Sequence, residues 1–155
     1  MSIGKGKIVA LIIVILVVVA ILSLTFISRN NYAIEEDDGI ATAHAFLIAL
    51  KKHDYDAIAA LHHPSKEMDG EKVKAEMTPD GIINFVNLQG EITEEKVESF
   101  FRTKAVNGIG YDYGVTFTLT ANGQECSGTL FLLRNAKGYG INYFVIIPYG
   151  TANDD

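Results

Sequence analysis

An uninterrupted apolar run near the N-terminus constrains this chain more than any other feature. Residues 8–27 read IVALIIVILVVVAILSLTFI and include no charged side chain. A helix of about twenty residues spans roughly 30 Å, the thickness of the hydrocarbon core of a bilayer, and satisfies its backbone hydrogen bonds internally. We therefore predict a single transmembrane helix over residues 8–27.

Two other interpretations of this run agree less well with its residues. A buried core helix would normally carry a polar face, which residues 8–27 lack. A cleaved signal peptide has an apolar region of about 7–15 residues that ends in a small-x-small site. This run is longer and continues into Ser28-Arg29-Asn30, a poor cleavage site. The sequence therefore favours an uncleaved anchor.

The charges that flank the run predict its orientation. Lys5 and Lys7 precede the run, whereas Arg29 follows it, ahead of the acidic residues 35–38. Positive flanks favour the cytoplasmic side of a membrane, so we expect a single-pass protein with a cytoplasmic N-terminus and an extracytoplasmic C-terminal domain. The expected divisions are a cytoplasmic tail at 1–7, the membrane helix at 8–27, a connector at 28–34, a domain at 35–149 and a C-terminal tail at 150–155.

The expected extracytoplasmic part is strongly acidic. The chain has 13 basic and 19 acidic residues, for a net charge of −6. Three of the basic residues flank the apolar run, so ten basic and nineteen acidic residues, about −9, remain beyond residue 32. Because this charge would repel a phosphate backbone and anionic lipid headgroups, we expect no nucleic-acid partner. The length beyond the anchor suits one small domain with one core.

The cysteine and histidine content predicts neither a metal nor a cofactor. Cys126 is the single cysteine, which excludes a disulfide within the chain and a cysteine-rich zinc site. The histidines His44, His53 and the pair His62-His63 have no spacing typical of a metal motif. We expect the last two to lie exposed at a helix end.

Apolar periodicity predicts two helices at the start of the domain. Apolar residues recur every three or four positions over residues 40–50, which indicates a helix capped by Asp37 or Asp38. Asp54 has the position of a cap for a second helix over residues 55–62.

The middle of the domain is less regular. Residues 65–77 are charged and predict a mobile connection that contains one turn or a short strand around Val73. Thr78-Pro79-Asp80 is a typical helix start, so we expect a short third helix to Leu88 that buries some of its apolar residues. Residues 93–106 fit a helix or a strand about equally well, and the strands that follow favour a strand.

The second half of the domain predicts an antiparallel sheet. Apolar and polar residues alternate strictly from Tyr111 to Leu119, and Asn122-Gly123 supplies the two positive-φ positions of a tight hairpin turn. Pairing across that turn places Leu119 opposite Cys126, which predicts a buried, inert thiol. Residues 141–147 predict a further strand that is apolar on both faces. The expected fold class is α+β.

Two opening helices, a short third helix and a C-terminal antiparallel meander resemble the nuclear transport factor 2-like superfamily, in particular its small bacterial membrane-anchored members of unassigned function. The runs that carry the likeness are AHAFLIALKKHDYDAIAALHHPS (43–65), GYDYGVTFTLTANGQECSGTLFLL (110–133) and GYGINYFVII (138–147). The likeness covers residues 36–148, with Tyr143-Phe144 in place of a common tryptophan. It implies a cone in which two or three helices pack on a curved antiparallel sheet around an apolar pocket.

The resemblance implies several classes of function. Some members are pocket enzymes of isomerase, dehydratase or cyclase type, and others are binding modules or envelope assembly subunits of secretion and conjugation systems. The residues that would line such a pocket here are His44, Tyr111, Tyr113 and Tyr143. A lone histidine is a weak basis for acid–base catalysis, so whether the chain is an enzyme stays open, with the balance against it.

The last strands predict a contact face. Its expected residues are Phe131, Leu133, Phe144 and Ile146. The leading hypothesis is a membrane-anchored, non-catalytic module that binds a protein partner, a second copy of itself or a small apolar ligand.

Overall fold

The computed structural model describes residues 15–21, 34–102 and 113–149. The chain divides into two compact units, residues 1–33 and residues 34–155. In the first unit, residues 15–21 are helical and exposed. No helix within the described ranges is both long and apolar enough to cross a membrane. Most of the transmembrane helix predicted at 8–27 lies outside those ranges, so it remains a prediction.

The second unit is an α+β domain, as the sequence predicts. Its described part contains helices at Glu36–Lys51 (α1), Tyr55–Leu61 (α2) and Gly70–Glu76 (α3), with a 3-10 turn at Pro64–Lys66. The strands that follow are Ile92–Arg102 (β1), Tyr113–Ala121 (β2), Gln124–Asn135 (β3) and Gly138–Pro148 (β4). The strands form one antiparallel sheet in the order β1-β2-β3-β4. The inner face of the sheet is the side on which α1 packs.

The first helix, α1, is held on the sheet by its buried side chains. Phe46 and Leu50 are fully buried. Acidic residues 36–38 occupy the first turn and Lys51 the last, an arrangement that the helix dipole favours. The N-cap residue is Glu35, and no side chain caps the helix. The predicted cap at Asp37 or Asp38 is therefore wrong, because these residues already lie inside the helix.

The second helix begins as predicted. The Asp54 carboxylate accepts a hydrogen bond from the backbone amide of Ala57 at 3.0 Å. The helix ends at Leu61, and the backbone of His62 is already extended.

The charge of residues 65–77 predicts a mobile connection, but residues 70–76 form α3 at the position of the turn or short strand expected around Val73. Asp69 caps α3 by accepting a hydrogen bond from the backbone amide of Lys72 at 2.9 Å. Val73 and Met77 lie one helical turn apart and are fully buried. Two apolar side chains at this spacing are enough to hold the short helix on the core, and the charged residues between them face solvent.

The third helix predicted over residues 78–88 is wrong. The Asp80 carboxylate instead accepts hydrogen bonds from the backbone amides near the expected start of that helix. One oxygen of Asp80 accepts three hydrogen bonds, at 2.8, 2.8 and 2.9 Å, from the backbone amides of Ile82, Ile83 and Asn84. Gly81 has a φ of 70°, a left-handed conformation that glycine favours. Side-chain bonds of this kind compete with helix formation. We call residues 80–85 the Asp80 loop.

The central hairpin has the predicted register. Leu119 pairs with Cys126 and Val115 with Leu130 across the turn at Asn122-Gly123. Both members of each of these pairs are buried on the inner face of the sheet. The prediction of a strand over residues 93–106 is confirmed as far as Arg102, where the described part of β1 ends.

Short segments cover the outer edge of β4. The His63 amide donates to the carbonyl of Ile141 at 2.9 Å, and the Phe85 amide donates to the carbonyl of Ile146 at 3.1 Å. The opposite edge strand, β1, is interrupted by two register shifts. Such irregularities protect a sheet edge from pairing with another chain.

Candidate binding surface

The structure does not bring the predicted pocket residues together. His44 is exposed on α1. Tyr113 is buried, and its hydroxyl accepts a hydrogen bond from the backbone amide of Ile34 at 3.3 Å. Tyr143 lies on the outer face of the sheet, away from α1. The fourth predicted residue, Tyr111, lies outside the described residues. The predicted pocket is therefore not formed by the three described residues.

Aromatic side chains occupy the interior where the resemblance implies a pocket. The ring of Phe46 on α1 contacts those of Phe117 on β2 and Phe144 on β4, with ring centroids 6.0 and 5.4 Å apart. All three side chains are at most 3% exposed. The two surface cavities described below are lined without any residue of α1. This part of the core is packed with side chains.

The predicted contact face is divided between the two sides of the sheet. Phe131 and Leu133 lie on the outer face, but Phe144 and Ile146 are buried on the inner face. The reason is the pairing of β3 with β4, in which Phe144 is opposite Leu130. A difference of one residue in register moves a side chain to the other face of a sheet.

The pair His62-His63 is buried, against the prediction of an exposed helix end. The ring of His63 lies within hydrogen-bonding distance of the Ser65 hydroxyl, at 2.7 Å, and of the Asn135 side-chain oxygen, at 3.1 Å. Among the described residues, no group of three or more His, Cys, Asp or Glu side chains could hold a metal ion. The two histidines therefore join the segment after α2 to the sheet.

His62 has one ring nitrogen without a hydrogen-bond partner. Its Nδ1 lies 3.0 Å from the carbonyl oxygen of Ile58, whereas its buried Nε2 forms no hydrogen bond. Oε2 of Glu76 lies 3.9 Å from Nε2, and the Glu76 side chain is half exposed. Burial lowers the pKa of His62, and the positive charge of Lys66 acts in the same direction.

This histidine predicts a pH dependence of stability. Because the folded-state pKa lies below the ordinary value of 6.5, the unfolded chain binds a proton more readily as pH falls through 6.5. The free energy of unfolding should therefore fall with pH in this range, by at most about 1.4 kcal/mol per pH unit. His62→Gln should flatten this slope in urea denaturation measured between roughly pH 7 and pH 5.

Two comparisons separate this effect from other titrations. Burial raises the pKa of Glu76. The titration of Glu76 therefore makes the free energy of unfolding rise, rather than fall, as the pH is lowered towards its ordinary value of 4.5. The difference in slope between wild type and His62→Gln therefore reports on His62 better than the slope of either protein alone. Ile48→Ala, at an exposed position on α1 that does not titrate, should keep the wild-type slope. Equal slopes in wild type and His62→Gln would contradict the assignment.

An exposed apolar ridge runs along the covered edge of β4. Its members are Ile82, Ile83, Phe85 and Ile147, which are 81, 40, 47 and 46% exposed. Asn84 and Ile146 pair in a parallel bridge and are buried. Because side chains alternate along extended backbone, the immediate neighbours of this buried pair, Ile83, Phe85 and Ile147, point to the outer face. The sequence prediction placed three of these residues, Ile82, Ile83 and Phe85, in a buried helix.

An acidic cavity of about 280 Å³ is lined by residues of β1, β2 and β3 and by the residue that follows β4. Glu94 and Glu125 lie in its wall, together with Tyr149, which is 60% exposed. The Thr120 hydroxyl donates to Glu94 at 3.1 Å. Neither glutamate forms an ion pair with a described residue.

A second cavity lies between the starts of α2 and α3. Its lining includes Asp54 and Asp69, whose carboxylates cap these two helices. The acidic groups there have a structural role.

Cys126 contributes to the floor of the acidic cavity but is fully buried. Burial raises the pKa of its thiol, so the reactive thiolate is disfavoured. The structure thus places Cys126 where the predicted hairpin register puts it.

Comparison of this chain with models of protein families, with curated proteins and with solved structures found no match. Its function is therefore inferred from the geometry of the described residues.

Proposed function

We propose that this chain is a single-pass membrane protein whose extracytoplasmic domain is a non-catalytic binding module of the nuclear transport factor 2-like type. The observation that carries the proposal is the apolar ridge, in which four large apolar side chains are 40–81% exposed on an otherwise well-packed domain. Contiguous exposed apolar surface on a folded domain is typical of an interaction site.

The sequence of the first unit supports the membrane tether. The uncharged run over residues 8–27 has the length of a transmembrane helix, and its described residues, 15–21, are helical. Lys5 and Lys7 before the run favour a cytoplasmic N-terminus. The domain follows after the predicted connector at residues 28–34.

The order of elements supports the superfamily likeness. Helices precede an antiparallel meander, and α1 packs on the inner face of the sheet. The interior between them is occupied by Phe46, Phe117 and Phe144 rather than by an open pocket. This packing favours binding at the outer surface over binding of a small ligand inside a cone.

The arrangement of titratable groups supports a non-catalytic role. The histidine predicted to face the interior, His44, is exposed. His62 is buried, with its Nε2 shielded from solvent. Neither position combines a titratable group with access for a substrate, which acid–base catalysis requires.

One labelling experiment tests both the tether and the binding role. Intact cells of the native host that express full-length Ile82→Cys are treated with a membrane-impermeant maleimide that carries a benzophenone. We expect labelling from outside the cell, because position 82 is 81% exposed on the extracytoplasmic domain. Irradiation should then produce a discrete adduct of higher mass with the bound partner.

Three controls make the outcome specific. Ile48→Cys, 51% exposed on α1, should be labelled but should not give the same adduct. Ser2→Cys should be labelled only in permeabilised cells. The wild-type chain should remain unlabelled because Cys126 is buried. Labelling of Ser2→Cys alone in intact cells would contradict the orientation, and labelling without an adduct at position 82 would contradict the binding role.

A further inference from the structure

The surroundings of His62 select one tautomer of its ring. Nδ1 lies 3.0 Å from the carbonyl oxygen of Ile58. A carbonyl oxygen can only accept a hydrogen bond, so Nδ1 carries the proton of the neutral ring and Nε2 is an acceptor. This Nε2 is buried and has no hydrogen-bond partner among the described residues. The fold therefore contains one buried nitrogen that is ready to take up a proton.

The group that faces this nitrogen is an acceptor as well. Oε2 of Glu76, at the end of α3, lies 3.9 Å from Nε2 of His62. An ionised carboxylate can only accept, so the two atoms cannot form a hydrogen bond at neutral pH. One added proton removes this mismatch, because either atom can donate to the other once it carries the proton. The two side chains therefore titrate as a pair.

Glu76 can approach the ring without movement of the backbone. The side chain of His62 is 3% exposed and is fixed by its bond to Ile58, whereas that of Glu76 is 49% exposed and can rotate. A hydrogen bond assisted by charge requires a distance of about 2.8 Å. Such a bond would join the end of α2 to the end of α3, which is otherwise held on the core by Val73 and Met77.

We propose that His62 and Glu76 form a proton-operated latch, in which one proton from the solvent, shared between Nε2 and Oε2, joins the end of α3 to the end of α2. The latch is open at neutral pH and closed in a mildly acidic medium. It is independent of the binding role proposed above, because neither side chain belongs to the apolar ridge.

The charges around the pair define the pH range in which the latch closes. Burial lowers the pKa of His62 from 6.5 and raises the pKa of Glu76 from 4.5, so the shared proton should bind between these two values. Lys66 in the 3-10 turn opposes protonation of both groups, and Asp80 favours protonation of Glu76. On the side of β4, His62 pairs with the backbone of Ile141.

The adjacent histidine is not part of the latch. The backbone amide of Ser65 donates to Nδ1 of His63 at 3.2 Å, so Nε2 carries the proton of the neutral ring and donates to Oδ1 of Asn135 at 3.1 Å. Both nitrogens of His63 therefore have partners.

Glu76 also lies where α3 meets the Asp80 loop. The side-chain amide of Asn84 donates to the carbonyl oxygen of Glu76 at 3.2 Å, and the backbone amide of Leu88 donates to that of Met77 at 2.8 Å. Closing the latch should therefore reduce local opening at this junction, and the exchange of the Met77 and Leu88 amides should report it.

Imidazole nitrogen NMR of the full chain in a mild non-ionic detergent tests the latch, with His62→Gln used to assign the signals. We expect the tautomer protonated at Nδ1 at neutral pH. Replacement of the carboxylate in Glu76→Gln or in Glu76→Met should lower the titration midpoint of His62 by about one pH unit. Glu71→Gln, at an exposed position on the same helix, should leave the midpoint unchanged.

Hydrogen exchange separates the two variants at position 76. The amide of Glu76→Gln can donate to Nε2 without an added proton, whereas the thioether of Glu76→Met cannot. At neutral pH, the Met77 and Leu88 amides should exchange several-fold more slowly in Glu76→Gln than in wild type or Glu76→Met. At about pH 5.5, wild type should become several-fold slower than Glu76→Met.

Three results would overturn the proposal. The first is a His62 ring protonated at Nε2 at neutral pH. The second is a midpoint of His62 that is the same in wild type and Glu76→Met. The third is equal exchange in Glu76→Gln and Glu76→Met at both pH values, which would show that the hydrogen bond does not hold α3.

Discussion

Phe46→Ala is expected to lower the free energy of unfolding by about 3–5 kcal/mol, the largest loss that we predict for a single side chain of this domain. Phe46 is fully buried and is the residue through which α1 contacts the aromatic rings of both β2 and β4. Removing its ring deletes apolar contacts and two aromatic pairs, and it leaves a cavity that three fixed elements cannot readily close.

Urea denaturation of the full chain in a mild non-ionic detergent, followed by circular dichroism, would measure this loss. Ile48→Ala is the matched control, because Ile48 lies on the same helix but is 51% exposed. Its substitution should change the free energy of unfolding by no more than about 0.5 kcal/mol. Similar losses for both variants would show that the helix, rather than the ring contacts, determines stability.

Gly140→Ala is expected to destabilise the domain by about 3 kcal/mol, because a side chain at position 140 would meet backbone rather than a movable group. A Cβ atom there would lie 2.5 Å from the backbone nitrogen of His63 and 2.6 Å from the carbonyl carbon of His62. The strand and the segment after α2 would have to separate, and the hydrogen bond from His63 to Ile141 would be lost or weakened.

Gly114→Ala is the matched comparison for this effect. A Cβ atom at Gly114 would meet the ring of Phe101, which is 36% exposed and can move towards solvent. The same denaturation measurement should therefore give a clearly smaller loss for Gly114→Ala than for Gly140→Ala. The reverse order would contradict the assignment of Gly140 as a backbone contact.

Parts of the fold that depend on neighbouring residues were predictable from the sequence. The alternation before Asn122-Gly123 and the turn itself determine the hairpin register, because a two-residue turn leaves one pairing for strands with a single apolar face. The cap at Asp54 and the apolar spacing over residues 40–50 predicted the first two helices to within a few residues.

The binding surface could not be predicted in the same way. A proline, an aspartate and a glycine at positions 79–81 are compatible with a helix start and with a turn. The choice depends on pairing between Asn84 and Ile146, which are far apart in sequence. This pairing turns Ile83 and Phe85 outward, so the same apolar residues that suggested a buried helix form the ridge instead.

Burial of the histidine pair was also beyond local patterns. His62 and His63 follow a helix end, where exposed polar residues are common. Their burial results from contact with β4, through the bond from His63 to Ile141 and the approach of Gly140. Only the three-dimensional arrangement shows that position 140 of β4 needs a glycine.

Because other segments of the chain cover the edge of β4, a partner cannot readily bind there as an additional strand. Chains that join a sheet as an extra strand are held mostly by main-chain groups, which are common to every sequence. Here residues 63 and 85 already take up carbonyl acceptors along that edge. For the proposed binding module, affinity should accordingly vary steeply with single substitutions in a partner, and unrelated extended polypeptides should bind weakly.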